Sequence, residues 1–419
     1  MKAALAFTFA AAAFGQELLI RNVNIHPVTA PAVANTSLLI RDGRIAEISP
    51  KIRVPKTVKA LDAQGAHLYP GMIDSATNLG MNEISSVREA SDISEIGDFN
   101  PQLRTLVAVN PASEHIPVAR ANGLTAAITI PSGGIIAGQA GLMHLDGWTW
   151  EEMEVTRSAA MHLRFPVLRA TQGLLRGAAP GAPVTFAEMQ RAHQEQLDKL
   201  RLFFENARRY QKSKAAAGPG FRVDLKFEAM LPVLDGKLAV LINAAREREI
   251  REALDFAQRE GIKVILSGVR EPGTQIARIK SMGVAVIVGE TLALPLEEDD
   301  AYDSPFTMPA ELHKAGILFA FATYNTSMVR NLPYHAAACV PFGLPPEEAL
   351  KAVTINPAKI WGVADRTGSI ETGKWADLIL TDGDPLETRT QIKHMWIRGR
   401  EISLESKHTR LYQKYLARP

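Results

Sequence analysis

Carboxylates are the residues best equipped for chemistry in this chain, and they gather in a few places. Asp74 closes the short apolar run Met72–Ile73, and the stretch 82–100 carries Glu83, Glu89, Asp92, Glu95 and Asp98 around Arg88. A carboxylate whose pKa is raised by its neighbours can take a proton as a general base. Asp74, Asp92 and Glu95 are therefore the catalytic candidates, with the Arg270–Glu271 pair behind them. The simpler reading makes 82–100 a solvated acidic loop and Asp74 a strand end held by hydrogen bonds or a salt bridge. The ten histidines show no His-x-His or His-x-x-x-His spacing that would bring two imidazoles to one ion. His26, His394 and His408 fall near the chain ends, His162 and His193 on helices or their approaches, and His313 just before a strand. Only His115, His144 and His335 stand near loop ends. There is no Gly-x-Ser-x-Gly elbow, and Cys339 sits between Ala338 and Val340 on a buried helix face, so nucleophilic catalysis finds no support.

The element that must position Asp74 is a strand. His67–Leu68–Tyr69 leads in as an apolar run, Pro70–Gly71 makes a bend, and Met72–Ile73–Asp74 emerges at what reads as the mouth of an α/β barrel. Pro70–Gly71–Met72–Ile73–Asp74 resembles the first barrel strand of the amidohydrolase superfamily, worded PG(L/M/F)ID and followed by x-His-x-His, where the two histidines hold a zinc-type metal centre. Here those places read Ala76 and Asn78. A metal-binding His that the family commonly places after the strand Leu238–Ile242 is matched by Asn243. On the next strand the second ligand His is matched by Gly268 or its neighbour Ser267. The family's last-strand Asp falls in Thr323–Tyr324–Asn325–Thr326, which has no carboxylate, while Arg330–Asn331–Leu332–Pro333 still resembles one branch of the family. The branch expected is the imidazolonepropionase- and prolidase-like one. The bridging lysine of some members has no firm counterpart; His144, shortly after Gly138–Gln139–Ala140–Gly141, stands nearest its place.

Alanine has no donor atom and neutral amides are weak ligands for zinc. Ala76, Asn78, Asn243, Gly268 and Asn325 together imply a cavity kept in shape but stripped of charge, with no metal ligand and the family's binuclear centre absent. Such a cluster of amides suits hydrogen bonding to a neutral or anionic ligand. The ligand contacts expected are Asn78, Asn243, Arg270, Asn325 and Arg330.

The closing phrase of the chain agrees with the opening one. Gly368–Ser369–Ile370–Glu371–Thr372–Gly373–Lys374 leads into Ala376–Asp377–Leu378–Ile379–Leu380, which resembles the family's G-x-I-x-x-G-K-x-A-D-L-(V/I), and Met395–Arg400 adds a further strand and turn. Residues 17–48 read as hairpins that cannot bury their own faces and need a partner sheet. The fold class expected is α/β: a (β/α)8 TIM barrel over 70–362, with a small composite β-sandwich from 16–69 and 363–403 and a helical or docked tail over 404–419. Barrel strands are expected at Leu124–Ile130, Val223–Phe227, Leu238–Ile242, Val264–Leu266, Val284–Val288 and Ile317–Ala322. Helices are expected at Phe186–Arg209, with His193 in its buried stripe, and at Glu247–Glu260.

The chain has 419 residues, 46% hydrophobic and 22% charged, with a net charge of +2. No Lys/Arg stripe interleaves with aromatics, which excludes nucleic-acid binding as a reading. Lys2, the apolar run Ala3–Phe14 and the small residues around Ala13-Phe14-Gly15 read as an export signal over 1–15, too short for an anchor. A periplasmic or secreted protein follows, and with a single cysteine it has no intrachain disulfide. Three functions remain open: an exported, metal-free relative of hydrolases of non-peptide C–N bonds that binds a ligand; a hydrolase of cyclic amides, N-acyl amino acids or dipeptides that uses a carboxylate base; and an assembly subunit, forming a homo-oligomer or pairing with a metal-bearing relative.

Overall fold

A computed structural model describes residues 17–168, 185–295 and 300–418. The export signal expected over 1–15 lies outside the described residues.

Both chain ends meet in one eight-stranded sheet. From the N-terminal side come β1 Leu18–Ile25, β2 Val33–Arg41, β3 Arg44–Ile48, β4 Lys59–Asp62 and β5 His67–Pro70. The hairpin β2–β3 turns at Asp42–Gly43, where both residues take positive φ, +52° and +75°, the conformation a tight hairpin turn requires. The barrel then supplies β6 Met72–Thr77, β7 Leu124–Thr129, β8 Ile136–His144, β9 Glu154–Arg164, β10 Val240–Asn243, β11 Val264–Val269, β12 Ala285–Val288 and β13 Phe319–Phe321. The C-terminal side returns as β14 Leu378–Thr381, β15 Ile392–Ile397 and β16 Arg400–Glu401. Antiparallel pairing of β14 with β5, Leu378 opposite Pro70 and Thr381 opposite His67, joins the two ends. Large apolar side chains are concentrated here: Ile20, Leu38, Ile40, Leu68, Leu378 and Trp396 are buried together.

Strands β6 to β13 lie side by side in chain order. All neighbours are parallel except that β8 runs antiparallel to both β7 and β9. The ring closes between its first and last strands, where Tyr324 N donates to Ala76 O at 2.8 Å. The inward positions are aliphatic: Ile73, Ile128, Leu142, Leu241, Ile265 and Ile287 fill the barrel as a packed core. Parallel strands of this kind open their C-terminal ends on one face, which is where β6, β10, β11 and β13 all finish.

Two expectations are corrected. Val223–Phe227 is not a strand; Asp224 accepts hydrogen bonds from Lys226 N and Phe227 N and so starts the helix Leu225–Leu234. N-capping decides that segment over its local apolar pattern. The missing strands are β8 and β9, whose long antiparallel pairing replaces a helical crossover at that point in the ring. The helix Phe186–Ala215 opens on a Thr185–Glu188 capping box and buries His193, Leu200 and Phe204, while Phe186 at its first turn is exposed. The helix Glu247–Glu260 stands at the expected residues. The tail forms the helix Lys407–Leu416, tied to the body where Arg410 donates to Glu114 at 3.0 Å. Among the described residues no helix is long and apolar enough to cross a membrane.

Candidate functional site

The barrel mouth carries a chain of polar contacts running from the first strand to the last and back across the strands between. At the closing seam, Asp74 accepts from Thr323 through both the hydroxyl and, at 3.2 Å, the backbone N–H, and from Ala76 N at 3.1 Å. Burial pushes the Asp74 carboxyl up to about 7, against the lowering effect of these hydrogen bonds. Thr323 is followed by Tyr324, which holds φ at +52°, a conformation uncommon for a bulky residue and one that concentrates at functional sites. This turn sends the Tyr324 ring across the mouth to β11, where its oxygen accepts from Gly268 N at 2.7 Å and lies 2.9 Å from Ser267 Oγ. Gly268 itself has φ +72°, and the β11–β12 register slips between Ser267 and Val269. Burial raises the phenol's pKa, so Tyr324 acts as a neutral hydrogen-bonding group.

Beside this bridge lie the ends of β9 and β10. Ala160, His162 and Arg164 alternate along the inward face of β9, and His162 is only 2% exposed. Its Nε2 stands 2.6 Å from Asn243 Oδ1 and its Nδ1 stands 2.6 Å from the Pro131 carbonyl oxygen. Burial lowers the His162 pKa, and the nearby Arg164 charge works in the same direction. Arg164 faces Asn243 across the β9–β10 ladder, and a cleft of about 560 Å³ opens there, lined by Arg164, Asn243, Ser267 and Gly268. That volume suits a small organic ligand.

The residues expected from the sequence are thus partly brought together. Asn243 and Gly268 share the cleft. Asn78 lies at the mouth but spends its amide on Ile130 O at 2.8 Å. Asn325 is exposed, and its side-chain oxygen accepts from Ser327 N and Met328 N at 2.8 and 3.1 Å, closing a turn. Arg270 donates to Leu294 O at 2.6 Å, and Arg330 reaches away to His408 of the tail helix at 3.0 Å. Asp92 and Glu95 are exposed on the wall of a separate cleft of about 420 Å³ with Arg104 and Ser132, an arrangement fitting the solvated loop better than a buried base. His162 does not lie on a helix but on β9. His144 is not at the mouth: β8 runs in the opposite sense, so it lies at the barrel floor, 3.1 Å from Asp377. Cys339 is buried, donates to His335 O at 3.3 Å, and burial pushes its thiol up to about 12.

Sequence reasoning does not single out His162, Arg164 or Tyr324 as site residues. Ala160, His162 and Arg164 at two-residue steps are the one available signal for the first pair.

The donor set at the mouth does not fit a zinc-type centre. Ala76 offers no side-chain donor, Asn78 and Asn325 are engaged with backbone, Asn243 with His162, and position 268 is a glycine. Among the described residues no three His, Cys, Asp or Glu side chains converge so as to hold a metal ion.

Residues 292–402 match the model of the amidohydrolase family. The chain is 24% identical to an imidazolonepropionase of Shewanella baltica over 394 residues, covering 85% of this chain and 89% of that one. It is 21% identical to the amidohydrolase tasK of Hapsidospora irregularis over 387 residues, 86% of this chain but only 39% of that protein's length. In structure it is similar to an amidohydrolase from Thermotoga maritima, with a TM-score of 0.79, 24% identity, and coverage of 92% of this chain and 99% of that one.

Proposed function

We propose that this chain, which belongs to the amidohydrolase superfamily, is an exported relative of hydrolases of non-peptide C–N bonds that binds a small ligand in its barrel mouth without the family's metal centre. Fold alone does not give function, which must be argued from the site. The observation that carries the reading is the side chains at the strand ends: Ala76, Asn78, Asn243 and Gly268 stand where the family's ligands are expected, and each polar one is engaged with protein. What remains open to solvent is a cleft with one cation, Arg164, and the amide of Asn243. The apolar, Lys2-led N-terminus supports a periplasmic or secreted location. Pairing with a metal-bearing relative, or with a second copy, is the partner arrangement such a metal-free subunit would serve; neither nucleic acid nor a membrane anchor enters the proposal.

The second reading is a hydrolase of cyclic amides, N-acyl amino acids or dipeptides that uses a carboxylate in place of metal. Asp74 favours it, because a base works best with a pKa near the operating pH and burial brings this carboxyl to about 7. Against it, both Asp74 oxygens are turned into the seam.

Metal analysis of protein produced with zinc and manganese tests the first reading; about two ions per chain would overturn it. Turnover of an N-acyl amino acid and dipeptide panel that resists chelators and is lost in Asp74→Ala would establish the second. Co-purification with a relative that carries His-x-His would identify the partner.

A further inference from the structure

His162 has acceptors at both ends. The Pro131 carbonyl stands 2.6 Å from Nδ1 and the Asn243 carbonyl oxygen 2.6 Å from Nε2. A neutral imidazole carries one N–H and cannot donate to both. Two arrangements would satisfy the ring. In one it is an imidazolium; burial in the barrel interior and the neighbouring Arg164 cation both oppose that charge. In the other, the Asn243 amide is rotated by a half-turn, which leaves its outline unchanged. The Pro131 carbonyl has no hydrogen to give, so Nδ1 must hold the ring's proton. Nε2 is then an acceptor, and only the NH2 of Asn243 can serve it.

The rotation has a consequence on the far side of the amide. The position now taken by Asn243 Nδ2 looks toward Gly268, where a Cβ built on the glycine would come within 3.9 Å of it. After the half-turn that position holds Oδ1. We propose that His162 is a positioning residue which fixes the Asn243 amide with its carbonyl oxygen toward the cleft, so that the mouth accepts an N–H from a small organic anion whose charge lies against Arg164. Arg164 has no side-chain partner among the described residues, is exposed in the cleft, and sits opposite Asn243 in the ladder. Of the cleft's two carboxylates, Glu249 accepts from Ala245 N at 2.8 Å, while Asp98 is solvent-exposed with Lys199 3.9 Å away. Arg164 and Asn243, opposite each other in the ladder, are the cation and acceptor assigned to the ligand; Gln196 also lines the cleft. This inference rests on the metal-free reading of the mouth, and its test separates the two.

The test has a spectroscopic arm and a binding arm. Nitrogen-15 NMR of the full protein labelled at histidine should show His162 protonated at Nδ1 alone at neutral pH; a ring protonated at Nε2, or at both nitrogens, overturns the proposal whatever binds. In titrations with N-acetylglycine and N-acetylsarcosine, which share a carboxylate and differ in that only the first has an N–H, the first should bind about tenfold more tightly, the size of one hydrogen bond to an otherwise unpaired group. His162→Leu should abolish that preference, and His162→Gln, which can donate to Pro131 and accept from Asn243, should restore it. Equal affinity for the two anions in the unaltered protein sinks the proposal while leaving the mouth a ligand site. Binding of neither anion sinks it as well. Two zinc ions per chain would instead overturn the metal-free reading, with the ring's protonation still decided by the spectrum.

Discussion

The phenol oxygen of Tyr324 sits 2.7 Å from the amide nitrogen of Gly268, so that a residue following the last barrel strand bridges the mouth to a strand two places back in the ring. Both ends of the bridge have positive φ, +52° and +72°. Tyr324→Phe keeps the ring but leaves the Gly268 N–H and the Ser267 hydroxyl without their partner. An orphaned buried donor costs about 1–3 kcal/mol, and urea unfolding should register a loss of that order with an unchanged slope. A change below about 0.5 kcal/mol would mean that water replaces the phenol at no cost, and the bridge would not be holding the mouth.

Asp74 should give the protein an acid-favoured stability. Its carboxyl has the ordinary value of 3.8 in the unfolded chain and about 7 in the fold, where burial is the cause. A pKa raised by folding contributes stability that is complete below about pH 4 and is lost as the pH climbs toward 7, because over that range the unfolded chain releases the proton while the folded state keeps it. The slope can reach about 1.4 kcal/mol per pH unit. Asp74→Asn presents a neutral group to the Thr323 and Ala76 amides at every pH. Melting temperatures from pH 4 to 8 should fall for the unaltered protein relative to this variant, and parallel curves would show that Asp74 is ionised throughout.

Gly71 is required by its neighbour rather than by its backbone angle. A Cβ added there would fall well inside the side chain of Thr125, which is buried at 1% exposure on β7 and, being β-branched, has little freedom to turn aside. Gly71→Ala should lower stability by about 1–3 kcal/mol, as overpacked cores do. Thr125→Ala in the same chain should recover part of that loss. Additive effects in the double variant, read from melting curves, would place the cause elsewhere.

How far the sequence foretells this fold depends on how local the deciding interactions are. Pro70–Asp74 and the closing phrase around Asp377 were legible because each fixes a strand and a bend with its own residues. The helix Glu247–Glu260 was legible because its apolar positions repeat at helical spacing and Gly261 stops it at φ +61°. Strand β8 was not, since Gly138, Gln139 and Gly141 interrupt its apolar pattern, and its burial depends on β7 and β9 pairing around it. Val223–Phe227 misled because Asp224 caps a helix through two specific hydrogen bonds that hydrophobicity does not report. At the mouth, the positions of Asn78 and Asn243 followed from the motif, but what their amides touch did not. Tyr324 reaches the site through a left-handed turn that leaves no mark in residue order, and His162 through a strand pairing whose one trace is the two-residue step Ala160, His162, Arg164.

His144 and Asp377 supply the last test, at the opposite end of the barrel. They are 1% and 3% exposed and 3.1 Å apart, one at the end of β8 and the other just before β14, so the pair joins the barrel floor to the terminal sheet. Burial alone would raise the Asp377 carboxyl, but attraction to His144 and hydrogen bonds from His144, Arg398 N and Thr367 outweigh it and hold the pKa below the ordinary 3.8. A depressed carboxylate contributes stability that is present above its unfolded value and lost as the pH falls through its folded one. His144→Ala leaves the buried carboxylate without one of its hydrogen-bonding partners, a change that typically costs about 1–3 kcal/mol. The variant's own Asp377 should then titrate higher and take up a proton on mild acidification. Its deficit relative to the unaltered protein should accordingly be largest near pH 7 and shrink toward pH 4 in urea unfolding. A deficit that is the same at both pH values would assign the effect to the lost packing of the imidazole against Trp375, whose ring lies 5.4 Å away, and not to the contact with Asp377.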